Sequence, residues 1–88
     1  MTEPDGASPV FYYRNGCHLC EELAAILFRG WPEYAGAMEW RDVDQRSDWR
    51  DEFGEKVPVL TLDGKIICAL QPDLSRISQY FGEMANPV

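Results

Sequence analysis

Cys17-His18-Leu19-Cys20 is the segment of this chain best equipped for chemistry. Residues three apart on a helix share a face. Their Cα atoms then stand about 5–6 Å apart, within the range a disulfide closes. The segment follows an apolar run, Val10 to Tyr13, and leads into Leu19, Leu23, Ile26 and Leu27 at helical spacing. Cys17 is therefore expected where a strand hands over to a helix. The first helical turn carries unpaired N–H groups and positive potential, and both stabilise a thiolate. Arg14, just upstream, adds a cation. The expected roles follow: Cys17 attacks, a mixed disulfide forms, and the more buried Cys20 resolves it. His18 is a candidate for tuning Cys17. An imidazolium beside the thiolate would lower its pKa, but the same helix end disfavours that imidazolium.

A C-x-x-C pair can also be half of a zinc site, or two small buried residues. Zinc takes four ligands, whereas the chain has three cysteines, one histidine and no second C-x-x-C. No metal ligands and no resident cofactor are expected. Three cysteines are too few for a disulfide scaffold, so a catalytic or metal role ranks above a structural bridge. Cys68 falls in a run where Ile66, Cys68 and Leu70 alternate, which reads as one core-facing side of a strand.

The elements that must hold this pair are legible along the chain. Residues 1–8 read as a flexible tail, and 9–88 as one domain. The almost wholly apolar run Val10 to Tyr13 suits a strand buried on both faces. The helix after Cys17 should end at Gly30 in a left-handed conformation, with Pro32 preventing continuation. Met38 to Val43 reads as a second strand. Asp44 is expected to cap a short helix carrying Trp49 and Phe53. Two strands follow, Val57 to Leu62 and Lys65 to Leu70, joined by the hairpin signal Asp63-Gly64. Pro72 suits the first turn of a last helix bearing Leu74, Ile77 and Phe81. The order is β-α-β-α-β-β-α, with a parallel crossover and then an antiparallel hairpin.

Composition narrows the function classes. The chain has 88 residues, is 45 % hydrophobic and carries a formal charge of −7. That charge disfavours nucleic acid and anionic membrane surfaces. The N-terminus has neither the basic start nor the apolar stretch of a signal peptide, and no run approaches a membrane span. A cytoplasmic, monomeric protein is expected.

Taken together, Phe11 to Leu23 with its C-x-x-C, Val43-Asp44, Phe53 to Leu60 with Val57-Pro58-Val59, and Asp63-Gly64 resemble the thioredoxin superfamily and, within it, the small bacterial glutaredoxin-like proteins. The resemblance runs from Val10 to Phe81. It implies a minimal α/β thioredoxin/glutaredoxin-like fold with a four-stranded mixed sheet, and thiol–disulfide exchange on protein or glutathione disulfides. It implies that Pro58 follows a cis peptide bond beside the cysteines, and that Val57 offers its backbone to an extended substrate. It places Arg14 where many glutaredoxins carry a lysine that assists the thiolate and the glutathione carboxylate. Asp73 matches the aspartate that holds the γ-glutamyl end of glutathione, with one extra residue before it. Two departures stand out. His18-Leu19 replaces Pro-Tyr between the cysteines. Cys68-Ala69 replaces a glycine pair, so weaker use of glutathione than in a typical glutaredoxin is expected. The other classes to weigh are a metal- or iron–sulfur-binding protein on the same fold and a non-catalytic adaptor.

Overall fold

The structure, a computed structural model, describes residues 8–86. Its elements run β1 (Pro9–Tyr13), α1 (His18–Gly30), α2 (Pro32–Ala37), β2 (Glu39–Asp42), a 3-10 turn (Val43–Gln45), α3 (Ser47–Phe53), β3 (Val59–Leu62), β4 (Lys65–Ala69) and α4 (Leu74–Phe81). The four strands form one mixed sheet in the order β2-β1-β3-β4. β1 pairs parallel with β2 and antiparallel with β3, and β3 pairs antiparallel with β4. The α/β architecture inferred from the sequence is the one observed. The expected tail lies outside the described residues up to position 7. Ser8 is tied down: its N–H donates to Asp63 Oδ1 at 3.0 Å, and its carbonyl accepts from Asp63 N–H at 3.3 Å.

β1 is buried on both faces because its alternate residues enter different cores. Phe11 packs with Leu23, Leu27, Leu60, Ile77 and Phe81, which places α1 and α4 on one side of the sheet. Val10 and Tyr12 pack with Val43, Val59 and Phe53, which places α3 on the other. The Tyr12 and Phe53 rings stack with centroids 4.1 Å apart. This sandwiched central strand fixes the point from which the chain enters the C-x-x-C segment.

Several local expectations are corrected. Gly30 does not take a left-handed conformation. It is the last residue of α1 and is buried, where a Cβ would meet Met84 Cγ at 3.3 Å. Close approach of the Met84 side chain, not backbone handedness, favours a small residue there. The helix does end at Gly30 as expected, and Trp31 caps it, its N–H donating to the Leu27 carbonyl at 2.8 Å. Pro32 stops that helix and occupies the first turn of an unforeseen one, α2. Asp44 caps no helix. Asp42 accepts from Asp44 N–H in the 3-10 turn, and α3 begins after Arg46 without a side-chain cap. Pro72 lies outside α4, whose N-cap is Asp73. The hairpin is as expected, with Asp63 and Gly64 at φ of 52° and 82°.

The alternation foreseen for β4 does not hold. Leu60 pairs with Cys68 while Thr61 pairs with Ile66, so Ile67 is an extra residue in a β-bulge. The bulge resets the facing of the strand. Ile67 and Cys68 are both buried, whereas Ile66 and Leu70 are 40 % and 47 % exposed.

Leu27 is fully buried at the centre of the larger core. Leu27→Ala should lower the unfolding free energy by about 2–5 kcal/mol in a urea titration, from lost burial and the residual cavity. A change below about 1 kcal/mol would contradict this placement of α1.

Candidate functional site

Cys17 is the N-cap of α1, with extended backbone at φ −90° and ψ 108°. Its carbonyl opens the helix by accepting from Glu21 N–H at 3.1 Å. Its sulfur accepts from Cys20 N–H at 3.1 Å. That N–H is one of the donors a helix start leaves without a backbone partner. Cys17 and Cys20 are joined as a disulfide with Cα atoms 5.2 Å apart, the separation expected from their spacing. Cys20 is 3 % exposed, while Cys17 is half-buried. The two cysteines are thus chemically unequal by position: one at the exposed rim of the helix dipole, the other inside.

Arg14 lines a pocket together with Gly16 and Cys20. All of its guanidinium nitrogens are engaged elsewhere. Nε donates to Asp44 Oδ2 at 2.9 Å, Nη2 to Asp44 Oδ1 at 3.1 Å, and Nη1 to the Gly54 carbonyl at 3.2 Å. The fork geometry of guanidinium on carboxylate makes this a directed tie. Gly54 permits it: a Cβ there would lie 3.3 Å from Arg14 Nη2 and 2.5 Å from the Arg50 carbonyl. The hydrogen bond from Arg14 holds the Asp44 carboxyl below the usual carboxylate range, and Asp44 in turn raises Arg14. Arg14 therefore braces the loop before Cys17 against the end of α3. Its link to the cysteine runs through the backbone, where Cys17 N–H donates to the Arg14 carbonyl at 3.3 Å.

His18 points along the helix surface. Its Nε2 lies 3.1 Å from Glu22 Oε2, and its side chain is 82 % exposed. That contact is with the carboxylate one turn on.

The Val57–Pro58 peptide is cis, as the resemblance implied. Val59 pairs with Tyr12 on β1. Continuing that antiparallel register by two residues sets Val57 opposite Arg14, at the sheet end that carries the cysteines. Among the described residues, neither the N–H nor the C=O of Val57 has a hydrogen-bond partner. Pro58 is buried. Asp73 stands at the start of α4, where its Oδ1 accepts from Arg76 N–H at 3.1 Å. It shares an open groove with Cys68, Ala69 and Gln71. Cys68 belongs to the core cluster, and burial pushes its thiol up. Among the described residues no group of His, Cys, Asp and Glu is arranged to hold a metal ion, and no helix is long and apolar enough to cross a membrane.

Residues 10–82 match the family described as Glutaredoxin-like domain (DUF836). The chain belongs to this glutaredoxin-like family. Two solved structures extend the likeness. The X-ray structure of protein XcR50 from X. campestris is 26 % identical, with a TM-score of 0.67 over 83 % of this chain and 93 % of that one. The solution structure of protein Ne2328 from Nitrosomonas europaea is 29 % identical, with a TM-score of 0.68 over 92 % of this chain and 95 % of that one. No functionally curated protein matches the chain at a significant level. Membership of a glutaredoxin-like family and a cysteine pair at disulfide distance together point to a redox function.

Sequence reasoning did not foresee the contacts of three residues of this glutaredoxin-like site. Asp44 and Gly54 hold Arg14, and both fall inside segments that carried the family resemblance. Their roles were hidden because the tie joins residues 30 and 40 positions apart. Leu70 is the third. The extra residue between Ala69 and Asp73 was its only signal.

The tie between Arg14 and Asp44 has a pH signature. A carboxyl lowered by folding contributes stability that is present above its unfolded pKa of about 3.9 and is lost as pH falls through its folded value. Asp44 should therefore titrate below that value by NMR, and the tie should fade only on the acid side of it. Arg14→Gln should move the Asp44 midpoint upward. An unmoved midpoint would remove Arg14 as the cause.

Proposed function

We propose that this chain is a dithiol–disulfide oxidoreductase acting on disulfides of proteins or of glutathione. Cys17 is the attacking thiolate and Cys20 the resolving thiol. The observation that carries this reading is the N–H of Cys20 donating to the sulfur of Cys17 at the N-terminus of α1. A donor and a helix dipole aimed at one sulfur favour its anion. Burial of Cys20 keeps the second thiol protonated until the first has reacted.

The reaction balances without a metal or a resident cofactor. The Cys17 thiolate attacks one sulfur of the substrate disulfide. A Cys17–substrate bond forms, the substrate bond breaks, and one substrate thiolate leaves and takes a proton from water. Cys20 then loses its proton and attacks Cys17 Sγ. The Cys17–Cys20 bond forms and the second substrate thiolate leaves. Two electrons have passed to the substrate. A small thiol or a dithiol reductase returns the pair to its reduced form.

The surroundings suit this chemistry. The unpaired backbone of Val57 can bond an extended substrate as an added strand. Asp73, at the groove beside Cys68, is the candidate to receive the amino end of glutathione. Cys68-Ala69 in place of small glycines narrows that approach, which favours protein disulfides over glutathione. A reducing compartment such as the cytoplasm, where thiols are kept available, fits a catalytic pair of this kind.

In the reduced protein, the alkylation rate of Cys17 should titrate well below the free thiol value of about 8.5. Cys20→Ser should accumulate a mixed disulfide on Cys17, visible by mass spectrometry. Cys17→Ser should lose exchange. A Cys17 midpoint at the free value, or equal residual activity in both variants, would overturn the assignment.

A further inference from the structure

Leu70 is held in a conformation that a leucine adopts only under constraint. Its φ is +72°, in the left-handed region that suits glycine or asparagine. The constraint is visible. Its N–H donates both to the Pro58 carbonyl at 2.9 Å and to the Lys56 carbonyl at 3.1 Å, tying the end of β4 to the segment that leads into β3. Burial does not compensate for this backbone, because the residue is 47 % exposed. The fold thus presents an apolar side chain to solvent beside Val57, at a position where glycine would be less strained.

The other exposed large hydrophobics among the described residues are Leu19, Phe28 and Ile66. Phe28 is taken up by stacking on Trp40, with the rings 5.4 Å apart and nearly parallel. Ile66 lies near the hairpin end of β4. Leu19 sits between the two cysteines. Leu19 and Leu70 therefore belong to the redox end of the sheet, with the unpaired backbone of Val57 at the same end. Acidic side chains flank this end. Glu21 and Glu22 follow Cys20, and Glu55 is exposed close to Val57. Asp44 is shared by Arg14 and Arg50, and Lys56 is an exposed cation next to Val57. The whole chain carries −7. The disulfide of glutathione is itself anionic, so the net charge of the chain disfavours its approach. An extended polypeptide that offers backbone to Val57 and an apolar side chain to Leu70 matches backbone, surface and charge together.

We propose that Leu70 is a specificity residue that receives an apolar side chain flanking the disulfide cysteine of an extended polypeptide substrate. This rests on the oxidoreductase reading above and names the substrate class it selects: protein disulfides in apolar sequence, ahead of the disulfide of glutathione. The chemistry is the same two-electron exchange. The reduced Cys17–Cys20 pair becomes a disulfide, and both substrate sulfurs leave as thiols.

The test is single-turnover exchange by the full, pre-reduced chain, so that no second reductant enters. The probes are glutathione disulfide and two disulfide-linked peptides of equal length and charge, one with Leu and one with Ser beside the cysteine. The native protein should react about tenfold faster with the Leu peptide than with the Ser peptide, the scale of discrimination one apolar contact supplies. Leu70→Gly and Leu70→Asn both accept the left-handed backbone. Each should bring that ratio close to one without lowering the thermal midpoint. Leu70→Met should keep it. A native ratio near one, an unchanged ratio in both variants, or fastest reaction with glutathione disulfide would overturn the role of Leu70. Exchange with none of the three probes would overturn the oxidoreductase reading as well. A native dimer that Leu70→Gly dissociates would put a second copy of the chain on this face and overturn the peptide assignment.

Discussion

The N–H of Cys20 points at the sulfur of Cys17, and most of the structure serves to keep that helix end in place. A helix start has donors and positive potential to offer, but only to an atom held at its N-cap. Holding it requires a strand that cannot shift and a helix that cannot roll. β1 meets the first condition by burying Phe11 on one side of the sheet and Val10 and Tyr12 on the other. A one-residue slip would turn each of these into the wrong core. α1 meets the second through Leu23 and Leu27, both fully buried one turn apart.

The loop between them, residues 14–17, is braced from outside. Arg14 reaches across to Asp44 and Gly54, so the approach to Cys17 depends on the far side of the sheet. A cation placed three residues before a reactive cysteine reads naturally as an electrostatic aid. In the folded chain that cation is hydrogen-bonded to a carboxylate, which Arg50 shares. Its role there is positional: a bidentate pair with a third bond to a carbonyl fixes a loop in a way that a single lysine ammonium would not. The sulfur itself accepts from backbone, the Cys20 N–H at the helix end.

The end of β4 shows how one inserted residue can reshape a site. The bulge at Ile67 puts Ile67 and Cys68 inside, and leaves Ile66 and Leu70 outside. Beyond it the strand ends in the left-handed turn at Leu70, whose N–H bridges to Lys56 and Pro58. The same short stretch replaces the small residues that the resemblance leads one to expect. A bulky, solvent-facing side chain and a core thiol now stand where close backbone approach would otherwise be available.

The strand, the C-x-x-C at a helix start, the Asp63-Gly64 hairpin and the chain order were legible in the sequence because each rests on local physics. Apolar periodicity, N-terminal helix donors and the positive φ of turn residues act within a few positions of one another. The inequality of Cys17 and Cys20 was legible for the same reason. What could not be read there depends on contacts between distant positions. Gly30 ends its helix as expected, yet not by a left-handed turn, and Met84, more than fifty residues on, packs against it. Asp44 looked like a cap, yet its carboxylate is claimed by Arg14 from another element. Cys68, by contrast, was expected in the core and is there, but with Ile67 rather than Ile66 beside it, because a bulge changes which faces alternate. The sequence by itself determined most of the elements and the cysteine pair. Only the tertiary structure decided which side chains were left to serve that pair, since a charge or a glycine has no assigned partner until the chain has brought one to it.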